Sequence, residues 1–203
     1  QLCEPSFATV HRGADDLAAI LYTSGTTGRS KGAMITHRNL ASNAVALVDA
    51  WGFTRDDVLL HALPIYHVHG LFIATHCALL SGATTHLLPR FDVATIVGLL
   101  PRSTVFMGVP TYYVRLLEDP GFYRGCVRGM RVFICGSAPL LPATFEEFER
   151  RTGQRILERY GMTEAGMITS NPYDDGRIAG SVGFALPDVA VRVAGPDGAE
   201  LPR

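Results

Sequence analysis

Short apolar runs recur along this chain with helical patterns between them: Val58 to Leu63, Ala83 to Leu88, Thr104 to Val109 and Arg131 to Cys135. Each is too short for a helix and is closed by proline or glycine, as a buried strand would be. The intervening stretches read as helices: residues 69–80, apolar on most sides; Asp92 to Leu100, behind an aspartate cap; Pro110 to about Glu118; and Leu141-Pro142 to Gly153. Nearer the start, Leu17 to Thr23 and a short run up to Thr36 read as strands. Thr36 then caps a helix from His37 to Trp51, with Leu40, Ala44, Leu47, Val48 and Trp51 at helical spacing and Gly52 ending it. Ile156 to Arg159 is a further short strand, and Val182 to Phe184 and Val189 to Val193 suggest a small β section after about residue 180. The alternation predicts an α/β fold: a mostly parallel sheet flanked by helices on both faces, with that β section at about 181–203. In such sheets ligands sit beyond the carboxyl ends of the strands, so the loops after Tyr22, Leu63, Val109, Cys135 and Tyr160 are the ones to inspect.

Composition removes several classes of function. The chain has 203 residues, a formal net charge of -1 and 47% hydrophobic residues, enough for one core. Near-zero charge lacks the basic excess that nucleic-acid or membrane-surface binding needs, so neither partner is expected. No apolar run reaches transmembrane length, and Gln1-Leu2-Cys3-Glu4 does not open a signal peptide. Cys3, Cys77, Cys126 and Cys135 are scattered without a Cys-x-x-Cys pair, which suits buried thiols in a reducing cytoplasm better than disulfides or zinc. The start without Met suggests a chain cut from something longer.

The richest loop is Tyr22 to Gly32, Tyr-Thr-Ser-Gly-Thr-Thr-Gly-Arg-Ser-Lys-Gly. Its glycines allow tight bends and close approach to a ligand. Its hydroxyls and backbone N–H groups offer donors to phosphate oxygens, and Lys31 adds a mobile positive charge. Such clusters are also common in plain surface turns. The order of lysine and glycines is not that of a Walker A loop, which argues against a P-loop GTPase or kinase.

The other loops are also unusual. Pro64-Ile65-Tyr66-His67-Val68-His69-Gly70 has two histidines two apart, but no carboxylate or cysteine close in sequence completes a metal set. Pro110-Thr111-Tyr112-Tyr113-Val114-Arg115 places Arg115 on the first turns of a helix, either solvated or aimed at an anionic substrate. Gly136-Ser137-Ala138-Pro139-Leu140 offers small residues that admit a flat ring. Glu158-Arg159-Tyr160-Gly161-Met162-Thr163-Glu164 offers an aromatic, a hydroxyl and a carboxylate suited to a hard cation.

Taken in order, Tyr-Thr-Ser-Gly-Thr-Thr-Gly-x-x-Lys-Gly, Leu-Pro-x-x-His, Gly-x-Pro-Thr, Gly-Ser-Ala-Pro-Leu and Tyr-Gly-Met-Thr-Glu resemble the adenylate-forming acyl-CoA synthetase superfamily over roughly residues 17 to 195. The resemblance implies an acid–thiol ligase with ATP, Mg2+ and CoA. A carboxylate attacks the α-phosphorus of ATP, and a thiol then displaces AMP. It implies that Thr23, Ser24, Gly25, Thr26, Thr27, Gly28 and Lys31 hold the β- and γ-phosphates. Gly136, Ser137 and Ala138 would line the adenine and acyl pockets, Tyr160 would pack on adenine beside Gly161 and Met162, and Thr163 would contact the α-phosphate. Glu164 would bind Mg2+, and His67 would sit at the mouth of the acyl pocket. Lys31, His67, Thr163 and Glu164 are thus the catalytic set. The stretches around His67, Met107 to Leu117 and Ser170 to Asp174 look like the malonyl-CoA synthetase branch. Arg115 is therefore expected to pair with the second carboxylate of malonate or methylmalonate, with His67, Ser137 and Met162 sizing the pocket.

Against the family's pattern, the acidic residue for the ribose, the hinge and the C-terminal lid with its lysine are absent by Arg203, and the first part of the large domain is absent before Gln1. The chain is expected to be the central part of an adenylation domain whose other parts are its partners. Ligases for acetate, medium-chain or aryl acids, and a nucleotide-binding piece without catalysis, are the alternatives.

Overall fold

The computed structural model describes residues 8–23, 30–174 and 176–201. Its centre is a seven-stranded sheet in the order β4-β3-β5-β6-β7-β8-β9. The strands are β3 (Val58–His61), β4 (Thr84–Leu87), β5 (Val105–Gly108), β6 (Val132–Cys135), β7 (Leu157–Met162), β8 (Gly166–Ser170) and β9 (Phe184–Ala185). From β4 to β7 all pairs are parallel, and β8 and β9 add antiparallel partners at the far edge.

The runs of β3, β5 and β6 form strands because both sheet faces are covered there, whereas the edge strand β4 is largely exposed. Successive residues of one strand enter opposite cores. Leu59, Val105, Met107, Val132, Ile134 and Leu157 face one core, which is closed by Leu47 and Trp51 of α1 (His37–Ala50) and by Ile73, Ala74 and Cys77. Leu60, Phe106, Phe133 and Cys135 face the other. That core is closed by α3 (Val93–Leu99), α4 (Pro110–Glu118) and α5 (Pro142–Thr152) through Ile96, Tyr113, Leu116, Phe145 and Phe148. Phe133 meets Phe148 edge-on at 4.9 Å between ring centroids. Among the described residues, Cys77, Cys126 and Cys135 are free and buried, and no helix is long and apolar enough to cross a membrane.

The helix caps follow the local chemistry. Thr36 and Asn39 form a reciprocal capping box at the start of α1. Asp92 accepts the Thr95 N–H, and prolines open α4 and α5.

Several expectations are corrected by tertiary context. The strands β1 (Leu17–Thr23) and β2 (Lys31–Thr36) form their own antiparallel hairpin rather than joining the parallel sheet. The apolar stretch after Val68 begins as a π-helical turn, His69–Ala74, before α2 (Thr75–Ser81), and exposes Leu79 and Leu80. One imidazole and one hydroxyl reach the Gly70 carbonyl there, His61 Nε2 at 3.0 Å and Thr75 Oγ1 at 2.9 Å. β7 continues through Tyr160 to Met162, because β8 returns alongside it. The only strand after residue 180 among the described residues is Phe184–Ala185, with an isolated bridge between Ala194 and Glu200.

At the amino ends of the parallel strands, the buried Asp57 carboxylate accepts from Arg131 Nε (2.6 Å) and Nη2 (2.8 Å), Thr104 Oγ1 (2.7 Å) and the Thr54 N–H (2.8 Å). Arg131 also donates to the Trp51 carbonyl and lies between the rings of Phe53 and Tyr173. Burial works against the charged carboxylate, but these donors outweigh it and hold the Asp57 pKa below its ordinary value. Asp57→Asn should therefore cost about 3 kcal/mol in denaturant unfolding, by stranding a largely buried guanidinium. Because the folded pKa is depressed, the pair's contribution is complete above the unfolded carboxylate's pKa, near ~3.9. It is lost as pH falls through the lower folded value, so acidification should narrow the stability gap between the two proteins.

Candidate active site

The loops at the opposite, carboxyl ends of the strands converge. After β3, the Leu63 N–H donates to His61 Nδ1 (3.2 Å), which leaves Nε2 to carry the proton and donate to the Gly70 carbonyl. This folds residues 62–70 back on the strand. His67 remains exposed, its Nδ1 accepting the His69 N–H at 3.4 Å, while the His69 ring turns inward and is buried.

After β6, Ser137 takes a left-handed backbone with φ 70°, a conformation unusual outside glycine and frequent at functional sites. Its Oγ lies 3.2 Å from His69 Nδ1. Burial, and then the charge of Arg159, push the His69 pKa far below its ordinary value, so the ring is neutral. Its Nε2 has no partner.

Arg159, on β7, completes this corner. Its side chain lies against Gly136, where a Cβ would stand 2.5 Å from the guanidinium carbon; only glycine leaves it room. Arg159 is 3% exposed, and its Nε and Nη2 are buried without a hydrogen-bond acceptor. Desolvation lowers its pKa to about 10, which still leaves it protonated at neutral pH. A neutral buried imidazole, an exposed serine with left-handed backbone and a buried guanidinium without an acceptor therefore lie close together. Such a cation is costly unless an anion arrives to meet it.

A second cluster forms between the hairpins. Thr23 Oγ1 donates to Glu164 Oε1 at 3.3 Å, across 141 positions of sequence. Thr23 also pairs in register with Lys31, so the ends of the glycine-rich loop stand beside the Thr163–Glu164 turn. Lys31 and Glu164 are exposed. Ser24, Gly25, Thr26, Thr27 and Gly28 lie outside the described residues. Tyr160 and Met162, two apart on β7, are both exposed, Ala138 is exposed beside Ser137, and Gly161 pairs opposite Met167.

Arg115 takes a different place from the pocket. It is exposed on α4, 4.9 Å above the Phe91 ring, which stacks on Tyr112 at 3.9 Å; the Tyr112 hydroxyl donates to the Ala62 carbonyl. Arg115 is thus tied to the start of the His67 loop through Phe91 and Tyr112. Among the described residues no group of three or more His, Cys, Asp or Glu could hold a metal. Glu164, with the Thr23 hydroxyl beside it, supplies oxygen ligands of the type that a hard cation takes along with phosphate oxygens and water.

Arg159 is the residue the sequence reading missed. Its signal was a charged pair, Glu158-Arg159, directly after the apolar Ile156-Leu157 of a core strand. Glu158 is used structurally, accepting the Gly180 N–H at 3.1 Å. Arg159 is not.

Known proteins share this architecture. Residues 4–203 match the family model for AMP-binding enzyme. The chain is 45% identical over 192 residues to the malonate–CoA ligase ACSF3 of Mus musculus, covering 87% of this chain and 33% of that protein. ATP-bound MatB from Rhodopseudomonas palustris superposes with a TM-score of 0.95 at 60% identity, covering 98% of this chain and 40% of that one. A malonyl-CoA ligase ternary product complex with methylmalonyl-CoA and AMP bound matches with a TM-score of 0.82 at 42% identity, covering 86% and 39%. The chain spans about a third of the length of the curated relatives it matches. With its residues matched from 4 to 203, the chain belongs to the AMP-binding enzyme family.

Proposed function

We propose that this chain carries the adenylate-forming site of a malonate–CoA ligase. The observation that carries the reading is the unpaired, buried guanidinium of Arg159 beside Ser137 and His69. A monocarboxylate would leave that charge unmet once its one carboxylate reacts. A dicarboxylate supplies a second anion to pair with it. The names of the relatives point the same way: malonate–CoA ligase in mouse, and a ligase complex with methylmalonyl-CoA and AMP.

In this scheme one malonate oxygen bonds to the α-phosphorus of ATP, the α–β P–O bond breaks and pyrophosphate leaves. The sulfur of CoA then bonds to the acyl carbon, and AMP leaves. Arg159 holds the non-reacting carboxylate, assisted by Ser137 and neutral His69, while Arg115 guides the dianion at the rim. His67 stands at the pocket mouth and Met162 bounds it. Lys31, Thr23 and the loop Ser24, Gly25, Thr26, Thr27, Gly28 embrace the departing phosphates. Tyr160, Gly161, Gly136 and Ala138 receive adenine, and Thr163 contacts the α-phosphate. Mg2+, held by Glu164, would neutralise charge on the phosphates when bound. The protein's work is positioning and charge stabilisation. Its partners are ATP, CoA and a small dicarboxylate, and we place it in a reducing compartment, the cytoplasm, in keeping with its free thiols.

Pyrophosphate release by the full-length gene product, measured with Mg-ATP and malonate, methylmalonate, acetate, hexanoate or benzoate, should be fastest with malonate or methylmalonate. Preference for hexanoate or benzoate would overturn the substrate assignment. Arg159→Met should shrink the preference for malonate over acetate about 100-fold, the scale of losing a buried charge pair, whereas Arg115→Ala should cost only a few-fold in malonate KM. Gly136→Ala, which displaces the guanidinium, should mimic Arg159→Met in the same substrate comparison.

A further inference from the structure

The turn that carries Thr163 and Glu164 borders a partly open cavity of about 160 Å³, lined also by Asn43 of α1, Val68 and Phe72. The β7–β8 ladder holds it from one side, with Met162 opposite Gly166 and Gly161 opposite Met167. On the cavity side, where packing is open, a further tie fixes its height. The tie comes from α1. Asn43 Nδ2 donates to the Met167 carbonyl at 3.0 Å, and the Met167 N–H donates to Asn43 Oδ1 at 3.0 Å. The amide thus holds both backbone groups of one β8 residue, as a neighbouring strand would.

The local backbone is shaped around that grip. Gly166 has φ +68°, and a Cβ there would stand 2.8 Å from Asn43 Oδ1. Residue 166 is therefore glycine for two reasons, its backbone region and the amide pressed against it.

The clasp also closes a ring. β2 runs directly into α1 by chain continuity, from Thr36 to His37. α1 grips β8 through Asn43, β8 pairs with β7, and the turn joining them returns Glu164 to Thr23 on β1. The last link, at 3.3 Å between exposed groups, is too weak to set the geometry by itself. We infer that Asn43 is a positioning residue for nucleotide: its clasp sets the distance between the glycine-rich loop and the Thr163–Glu164 turn. It acts through Met167 and touches no substrate in this scheme. The inference rests on the adenylation reading, though not on malonate as the acid.

The test compares Asn43→Leu with Asn39→Ala in the full-length gene product. Both substitutions loosen α1, but only the first removes the clasp. Asn43→Leu should raise the KM for ATP about ten-fold and lower kcat, the scale of a modest misplacement of reacting groups, and leave the carboxylate KM within about two-fold. The Kd for a fluorescent ATP analogue, read without turnover, should weaken in parallel. Asn39→Ala should lower Tm and leave both nucleotide constants within about two-fold. An Asn43→Leu protein with unchanged ATP KM and Kd, or an Asn39→Ala protein with equal losses, would overturn the assignment. The assay uses whichever carboxylate of the panel supports pyrophosphate release, so the malonate assignment can fail while the clasp stands.

Discussion

Burial of the parallel sheet on both faces is the constraint on which the rest depends. Residues of β5 and β6 such as Val105, Phe106, Met107, Val132, Phe133 and Ile134 are all inaccessible, so charge cannot leave the sheet through either face. It is confined to the two ends of the strands. Those ends solve the same problem in opposite ways. Asp57 and Arg131 form a fully hydrogen-bonded pair at the amino ends, lying across the starts of β3 and β6. Arg159, at the carboxyl ends, has no such partner. One guanidinium fastens strands together, and the other has Nε and Nη2 buried without an acceptor. The contrast is physical rather than positional, since an unsatisfied buried cation persists only where its cost is offset.

The carboxyl end is itself two sites joined by β7. Arg159 is buried near His69, while Tyr160 and Met162, further along the same strand, stay open to solvent. The strand then turns back at Thr163 and Glu164, beside Thr23. A single strand thereby spaces Arg159, Tyr160 and the Thr163–Glu164 turn along one end of the sheet, with an irregularity in its pairing between Tyr160 and Gly161.

The antiparallel pieces added at the margins serve that strand. β8 extends β7 beyond its last parallel neighbour, and Asn43 ties β8 to the helix that follows the glycine-rich hairpin. Other ties stabilise the same edge: Trp51 Nε1 donates to Ser170 Oγ, and Asn171 Nδ2 donates to the carbonyls of Glu158 and Ser181. The Ser170 to Tyr173 stretch, whose composition resembles a substrate-selective branch, is used here for packing and hydrogen bonding within the fold.

Much was legible in the residues themselves. The alternation of apolar runs with capped helical patterns specified a parallel α/β sheet, because hydrophobic period, proline and glycine punctuation and capping chemistry are all local. The glycine-rich loop and the Tyr-Gly-Met-Thr-Glu stretch stand out in the sequence by their chemistry, and the ends of the first, Thr23 and Lys31, lie beside the turn of the second. Three things were decided only by tertiary structure. The first hairpin stands apart because pairing depends on which strand comes alongside, which no local pattern encodes. Arg115 is exposed, stacked on Phe91, while Arg159 is buried; which guanidinium is desolvated depends on the backbone packed against it, here Gly136. The meeting of Thr23 with Glu164, and the amide that holds their hairpins together, join residues more than a hundred positions apart. Such contacts exist only once the sheet has brought the loops to one end.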